Sequence, residues 1–159
     1  MAQGQKQVRI IEPLERFVNR INLVGCYARV SSDSEDQLNS YNNQVDFYES
    51  YVNSLENSKL VKIYTDEGIT GTRMDKRDGF LQMIEDCRKG LINTIITKSI
   101  SRFARNITET LSVVRELKSI GVSVYFMTEK IDTAKMGSEM MLAVYAACAE
   151  IESKAISNA

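Results

Sequence analysis

Apolar and polar positions alternate in a way that divides most of the chain into strands and helices. Leu23 to Val30 is short, apolar and ended by serines, the pattern of a buried strand. Leu38, Tyr41, Val45, Tyr48, Val52 and Leu55 then recur at alternating intervals of three and four, which predicts an amphipathic helix of about four or five turns. Leu60 to Thr65 reads as a second strand. The stretch from Asp66 to Gly79 is polar and glycine-bearing, and is expected to be a mobile loop. Phe80, Met83, Ile84 and Cys87 mark a short helix stopped by Gly90, and Thr94 to Thr97 a third strand. Ile107, Leu111, Val114 and Leu117 mark a further helix ended by Gly121, followed by a strand from Val122 to Met127 and a short strand near Ile131. Ser138 suits the N-cap of a last helix running toward Asn158. Strands alternating with helices imply an α/β domain with a mainly parallel sheet.

Residues 1–22 stand apart as an N-terminal extension. Leu14, Phe17, Val18 and Ile21 have helical spacing after Pro13. A short packed helix and a frayed terminus both fit that segment. The remainder, 23–159, is expected to be one domain, of a length that supports a single good core.

Composition narrows the class. Hydrophobic residues make up 43%, normal for a globular protein. No apolar run approaches the roughly 20 residues of a membrane-spanning helix, and the N-terminus lacks the apolar core of a secretory signal. Cys26, Cys87 and Cys148 have no metal-ligand spacing and fall in apolar periodic segments, so all three are expected to be buried, reduced thiols in a cytoplasmic protein. The net charge of -1 hides an asymmetry. Asp33, Glu35, Asp36, Asp46, Glu49 and Glu56 lie in a stretch free of bases, whereas Arg88, Lys89, Lys98, Arg102 and Arg105 lie in one free of acids. This either focuses a positive site on one edge or makes two solvated faces of opposite sign.

The candidate chemistry sits at strand ends. Arg29 and Ser31 are two apart on an extended segment and should project to one face, with Val30 turned into the core. Ligands of such sheets bind beyond the carboxyl ends of the strands, where Ser31 follows the first strand and Lys98 to Arg102 follow the third. Arg102 and Arg105, three apart, would share one helical face. Guanidinium groups bind phosphate oxygens bidentately, and several together stabilise a phosphoryl-transfer transition state without a metal. Arg29, Arg77, Arg102 and Arg105 are the candidates; taken singly, each is an ordinary surface arginine. Ser32 and Ser101 rival Ser31, and a serine after a strand also forms turns or caps. The absence of histidine excludes a Ser-His-Asp triad and histidine metal sites. No glycine-rich phosphate loop of the nucleotide-binding kinds is present.

Tyr27-Ala28-Arg29-Val30-Ser31, the downstream Gln44, Tyr64 to Thr72, Arg77-Asp78-Gly79-Phe80, Ser101 to Asn106 and Ala149 to Ser153 occur in an order that resembles the catalytic domain of the serine recombinases. The resemblance covers Val24 to about Ser157, and its wording is most like the large serine recombinases of mobile elements. It implies a three-layer α/β/α domain, flavodoxin-like in its mainly parallel sheet, with a long C-terminal helix. It also implies a site-specific DNA recombinase, an enzyme needing no cofactor and no metal. The family's nucleophile falls on Ser31, its arginines on Arg29, Arg77, Arg102 and Arg105, its glutamine on Gln44 and its loop aspartate on Asp66. The aspartate that small resolvases carry before the first arginine of the later motif is replaced here by Ser101.

The family's partners are DNA and further subunits, as a homodimer and a synaptic tetramer. Its DNA-reading domain follows the catalytic one, so 23–159 is expected to be the catalytic domain alone, self-associating weakly. Two other readings remain at this stage. One is a catalytically inactive recombinase-like module that acts through subunit association. The other is a flavodoxin-like binding domain for a small phosphorylated ligand.

Overall fold

The structure, a computed structural model, describes residues 20–31, 36–68, 77–104 and 106–157. Strand β1 (Asn22–Ser31) leads to helix α1 (Asp36–Ser54) and strand β2 (Ser58–Gly68). Helix α2 (Asp78–Arg88) and strand β3 (Thr94–Thr97) follow. A short helix α3 (Ile100–Phe103) precedes α4 (Ile107–Ser119), β4 (Ser123–Phe126), β5 (Ile131–Asp132) and α5 (Ser138–Ser157). The strands form one sheet in the order β2-β1-β3-β4-β5. The first four are parallel and β5 runs antiparallel to β4. This is the doubly wound flavodoxin order.

The alternation of β1 explains the layers. Val24, Cys26 and Ala28 pack on Tyr48 and Val52 of α1, while Tyr27 packs on the opposite face with Phe80, Met83, Val114 and Leu117 of α2 and α4. A strand buried on both faces reads as the near-continuous apolar run seen in the sequence. Burial pushes the thiols of Cys26 and Cys87 up to about 12 from 9.0, as expected of inert core cysteines.

Several expectations fail for identifiable reasons. Strand β2 continues to Gly68, pairing Asp66, Glu67 and Gly68 with Arg29, Val30 and Ser31, so Asp66 is a strand residue and not a loop residue. Cys148 is exposed. The apolar residues Met141, Val144, Tyr145 and Ile151 of α5 cover more than one narrow face and are all exposed. Leu142 carries the packing instead and is fully buried. Ser138 is not an N-cap. Its hydroxyl donates to the carbonyl of Thr133, and the carbonyl of Gly137 accepts the first helical bond, from Met141. The predicted N-terminal helix and most of the glycine-bearing stretch, 69–76, lie outside the described residues.

Candidate active site

In the doubly wound order the chain leaves β1 toward β2 on one side, and β3 lies on the other, so the topological switch falls between β1 and β3. A crevice of about 800 Å³ opens there, at the carboxyl ends of the strands. Ala28 and Arg29 of β1, Lys98 after β3 and Arg102 of α3 form one wall; Ser40, Asn43, Gln44 and Phe47 of α1 form the other.

Local anchors set the cationic wall. Phe103 is fully buried, in edge-on contact with Phe80 and Phe126 at centroid distances of 5.2 and 5.4 Å. Glu129 accepts from the N–H of Ile100 at 3.3 Å and so holds the start of α3. With Phe103 fixed inward, Arg102 stands exposed, and its Nη1 donates to the carbonyl of Arg29 at 3.0 Å. The β1 end is held from behind as well. Tyr48 and Thr97 hydroxyls donate to the carbonyl of Tyr27, at 3.0 and 3.3 Å. Burial raises the Tyr48 phenol well above its ordinary range, so it stays a donor. On the α1 wall Gln44 Nε2 donates to Ser40 Oγ at 3.3 Å.

Asp66 and Arg77 belong to a second cluster. Asp66, 8% exposed, accepts from the Tyr27 hydroxyl at 2.8 Å and from the N–H groups of Gly79 and Phe80 at 2.7 and 2.9 Å. It thus caps α2 from the end of β2. Gly79 is required by this approach, since a Cβ there would lie 2.4 Å from the carbonyl oxygen of Thr65. Burial, reinforced by the bond to Asp66, pushes the Tyr27 phenol up to about 12. The Arg77 guanidinium donates to Glu109 Oε1 at 3.1 Å and to the carbonyl of Phe103, and lies 3.9 Å from the centroid of the Phe80 ring. Its Nε is buried without a hydrogen-bond partner.

Arg29, Gln44 and Arg102 therefore meet in one crevice, while Asp66 and Arg77 lie in the adjoining cluster. Tyr27 joins the two, by its carbonyl on one side and its hydroxyl on the other. Ser31 ends β1 with its Cα opposite Gly68; its side chain lies outside the described residues, as does all of Arg105. The expected helical face shared by Arg102 and Arg105 falls partly on the undescribed Arg105; the helix that carries Arg102 ends at Phe103. Ala104 is extended (φ -141°, ψ 160°), and Asn106 caps α4 by accepting from the Glu109 N–H at 2.8 Å. Asn43, Phe47 and Tyr48 are crevice residues that the sequence reading passed over. Their signal was two neighbouring stripes at four-residue spacing, Asn39, Asn43, Phe47 and Ser40, Gln44, Tyr48, masked because Tyr48 also fits the apolar period.

Fold and crevice together define a doubly wound α/β domain with guanidinium and amide groups gathered at its switch point. The family model "Resolvase, N terminal domain" matches residues 24–159. The resolvase of transposon Tn552 from Staphylococcus aureus is 31% identical over 134 residues, 79% of this chain and 57% of that protein. The serine recombinase Gin of Escherichia phage Mu is 29% identical over 104 residues, 65% of this chain and 52% of its own.

Among solved structures, a resolvase family site-specific recombinase from Streptococcus pneumoniae superposes with a TM-score of 0.64 at 28% identity, covering 86% of this chain and 91% of that one. The N-terminal catalytic domain of TP901-1 integrase shares the fold, with a TM-score of 0.55 at 20% identity over 84% of this chain and 98% of its own. The chain belongs to the serine recombinases, as a resolvase-type catalytic domain. It spans about half the length of the curated relatives it matches. No helix among the described residues is long and apolar enough to cross a membrane.

Proposed function

We propose that this domain cleaves and rejoins DNA strands in site-specific recombination, with Ser31 as nucleophile. The Ser31 hydroxyl oxygen attacks the scissile phosphorus, a P–O bond to serine forms, and the bond to the 3′ oxygen breaks. The serine proton is lost as the 3′ oxygen gains one, leaving a 5′-phosphoseryl link and a free 3′-hydroxyl. The reverse attack by a 3′-hydroxyl rejoins the strand, and the covalent link conserves the bond energy so that no ATP is needed.

The observation that carries this reading is the meeting of Arg29, Gln44 and Arg102 in the switch-point crevice, at the strand end that leads to Ser31. Arg29 and Arg102 orient the phosphate and stabilise the charge on its equatorial oxygens, together with Arg105. Arg77 joins them once its pair with Glu109 opens. Gln44 fixes the opposite wall, and Asp66 braces the β1 end through Tyr27.

The exposed apolar residues of α5, including Met140, Val144, Ile151 and Ile156, suit packing against a second subunit. In the whole recombinase this surface serves a dimer and then a synaptic tetramer, and a further domain reads the DNA sequence. By itself the domain binds DNA without sequence preference and weakly, with a dissociation constant of roughly 10⁻⁶ M or above at physiological salt. The test is Ser31→Ala in the whole recombinase. Site binding should persist while strand cleavage is abolished; a Ser31→Ala variant that still forms a covalent DNA adduct overturns the proposal.

A further inference from the structure

We propose that the crevice also receives one unpaired nucleoside next to the scissile phosphate, its base stacked against Phe47. This deepens the reading of the crevice as the cleavage site and rests on it.

The first argument is size. The crevice measures about 800 Å³, far more than a phosphate group fills. That volume is in the range of sites that hold whole organic ligands, ~300–1,000 Å³.

The second argument is the contrast between its walls. Arg29, Lys98 and Arg102 make one wall cationic, and no acidic residue among the described ones lines the crevice. The α1 wall is uncharged, with the amides of Asn43 and Gln44 beside the ring of Phe47. A strand carries an anionic phosphate and a neutral base with amide-like edges, which is the same division.

The third argument is Phe47 itself. It is 52% exposed although it sits on a helix that buries Tyr48 and Val52. Its ring is held by a parallel contact with Tyr51 (6.1 Å, 12°) and an edge contact with Tyr48 (5.8 Å, 63°). A braced, half-exposed ring is a stacking platform, and stacking accepts any base. The base has to be unpaired, because in duplex DNA its faces are covered by neighbouring pairs.

The experiment uses this chain and two probes, inorganic phosphate and the 5′-phosphorylated thymidine dinucleotide, in titrations followed by NMR. The dinucleotide should bind at least about tenfold more tightly than phosphate. Phe47→Ala should remove that advantage and leave phosphate binding unchanged, and Phe47→Tyr should keep it. Arg102→Ala should weaken both ligands. A dinucleotide no tighter than phosphate, or one indifferent to Phe47→Ala, overturns the nucleoside subsite and leaves the phosphate reading standing. Binding of both probes that is indifferent to Arg102→Ala overturns the phosphate reading, and the subsite with it.

Discussion

Arg102 Nη1 donates to the carbonyl oxygen of Arg29 at 3.0 Å, tying the segment after β3 to the end of β1 across the switch point. The bond fixes one nitrogen of the guanidinium fork. The remaining N–H groups belong to an exposed side chain on the crevice wall. A lysine at this position keeps the charge and loses the fork. In the whole recombinase, Arg102→Lys should lower strand cleavage by at least about 100-fold, comparable to losing one oxyanion donor. Its thermal midpoint should barely move, since the side chain is exposed. Near-normal cleavage would show that charge alone suffices.

Asp66 is the joint between β1, β2 and α2. It accepts from one hydroxyl and two backbone N–H groups while almost fully buried. Asp66→Ala orphans these donors and should cost about 2–4 kcal/mol in urea denaturation, the range for breaking a buried charge-assisted network. Gly79→Ala should destabilise as well, because the added Cβ meets the Thr65 carbonyl. A stability unchanged by both substitutions would show that α2 is held by other means.

The cysteines give a prediction about pH. Burial raises the Cys26 and Cys87 thiols from 9.0 to about 12 in the folded state. A group whose folded value is raised contributes its full stability below the unfolded value and loses it as the pH climbs toward the folded one. Stability should therefore fall between about pH 9 and about pH 12, with Tyr27, raised from 10.0 to about 12, adding to the slope. Urea midpoints along that range should drop, and less steeply in Cys26→Ala. In the native protein at neutral pH a thiol reagent should label Cys148 quickly, and Cys26 and Cys87 only on unfolding. Rapid labelling of all three would contradict the buried placement.

Much of the fold was legible because its signals are local. Leu23 to Val30 is a short, largely apolar run that lies within β1, and Thr94 to Thr97 coincides with β3. That the ends of the first and third strands meet at one crevice was legible from the rule that ligands of such sheets bind beyond the carboxyl ends of the strands. What escaped depends on tertiary contacts. The break after Phe103 arises because Phe103 is drawn into the core beside Phe80 and Phe126, while Asn106 starts a new helix. Spacing of three between Arg102 and Arg105 cannot report that. The separation of Asp66 and Arg77 from the crevice likewise depends on which side of Tyr27 they meet. On α5 an apolar period marks a contact surface without saying whose surface it meets, so only the structure separates the buried Leu142 from the exposed Met141, Val144, Tyr145 and Ile151.

That face carries a prediction of its own. Met140, Val144 and Ile151 are 76%, 56% and 67% exposed. Sedimentation of this chain should show weak, concentration-dependent self-association. Val144→Glu or Ile151→Glu should abolish it without lowering the thermal midpoint, because neither side chain packs within the monomer. A strictly monomeric chain at all accessible concentrations would remove α5 as a subunit surface for this chain.

The central claim is that the end of β1 delivers the nucleophile to a phosphate held by Arg29 and Arg102. The most direct measurement traps the whole recombinase on its cleaved site, digests the adduct and locates the phosphoryl link by mass spectrometry. The account predicts a single modified peptide, with the 5′-phosphate of the DNA on Ser31. A link on Ser32, on Ser101 or on any other residue would contradict it.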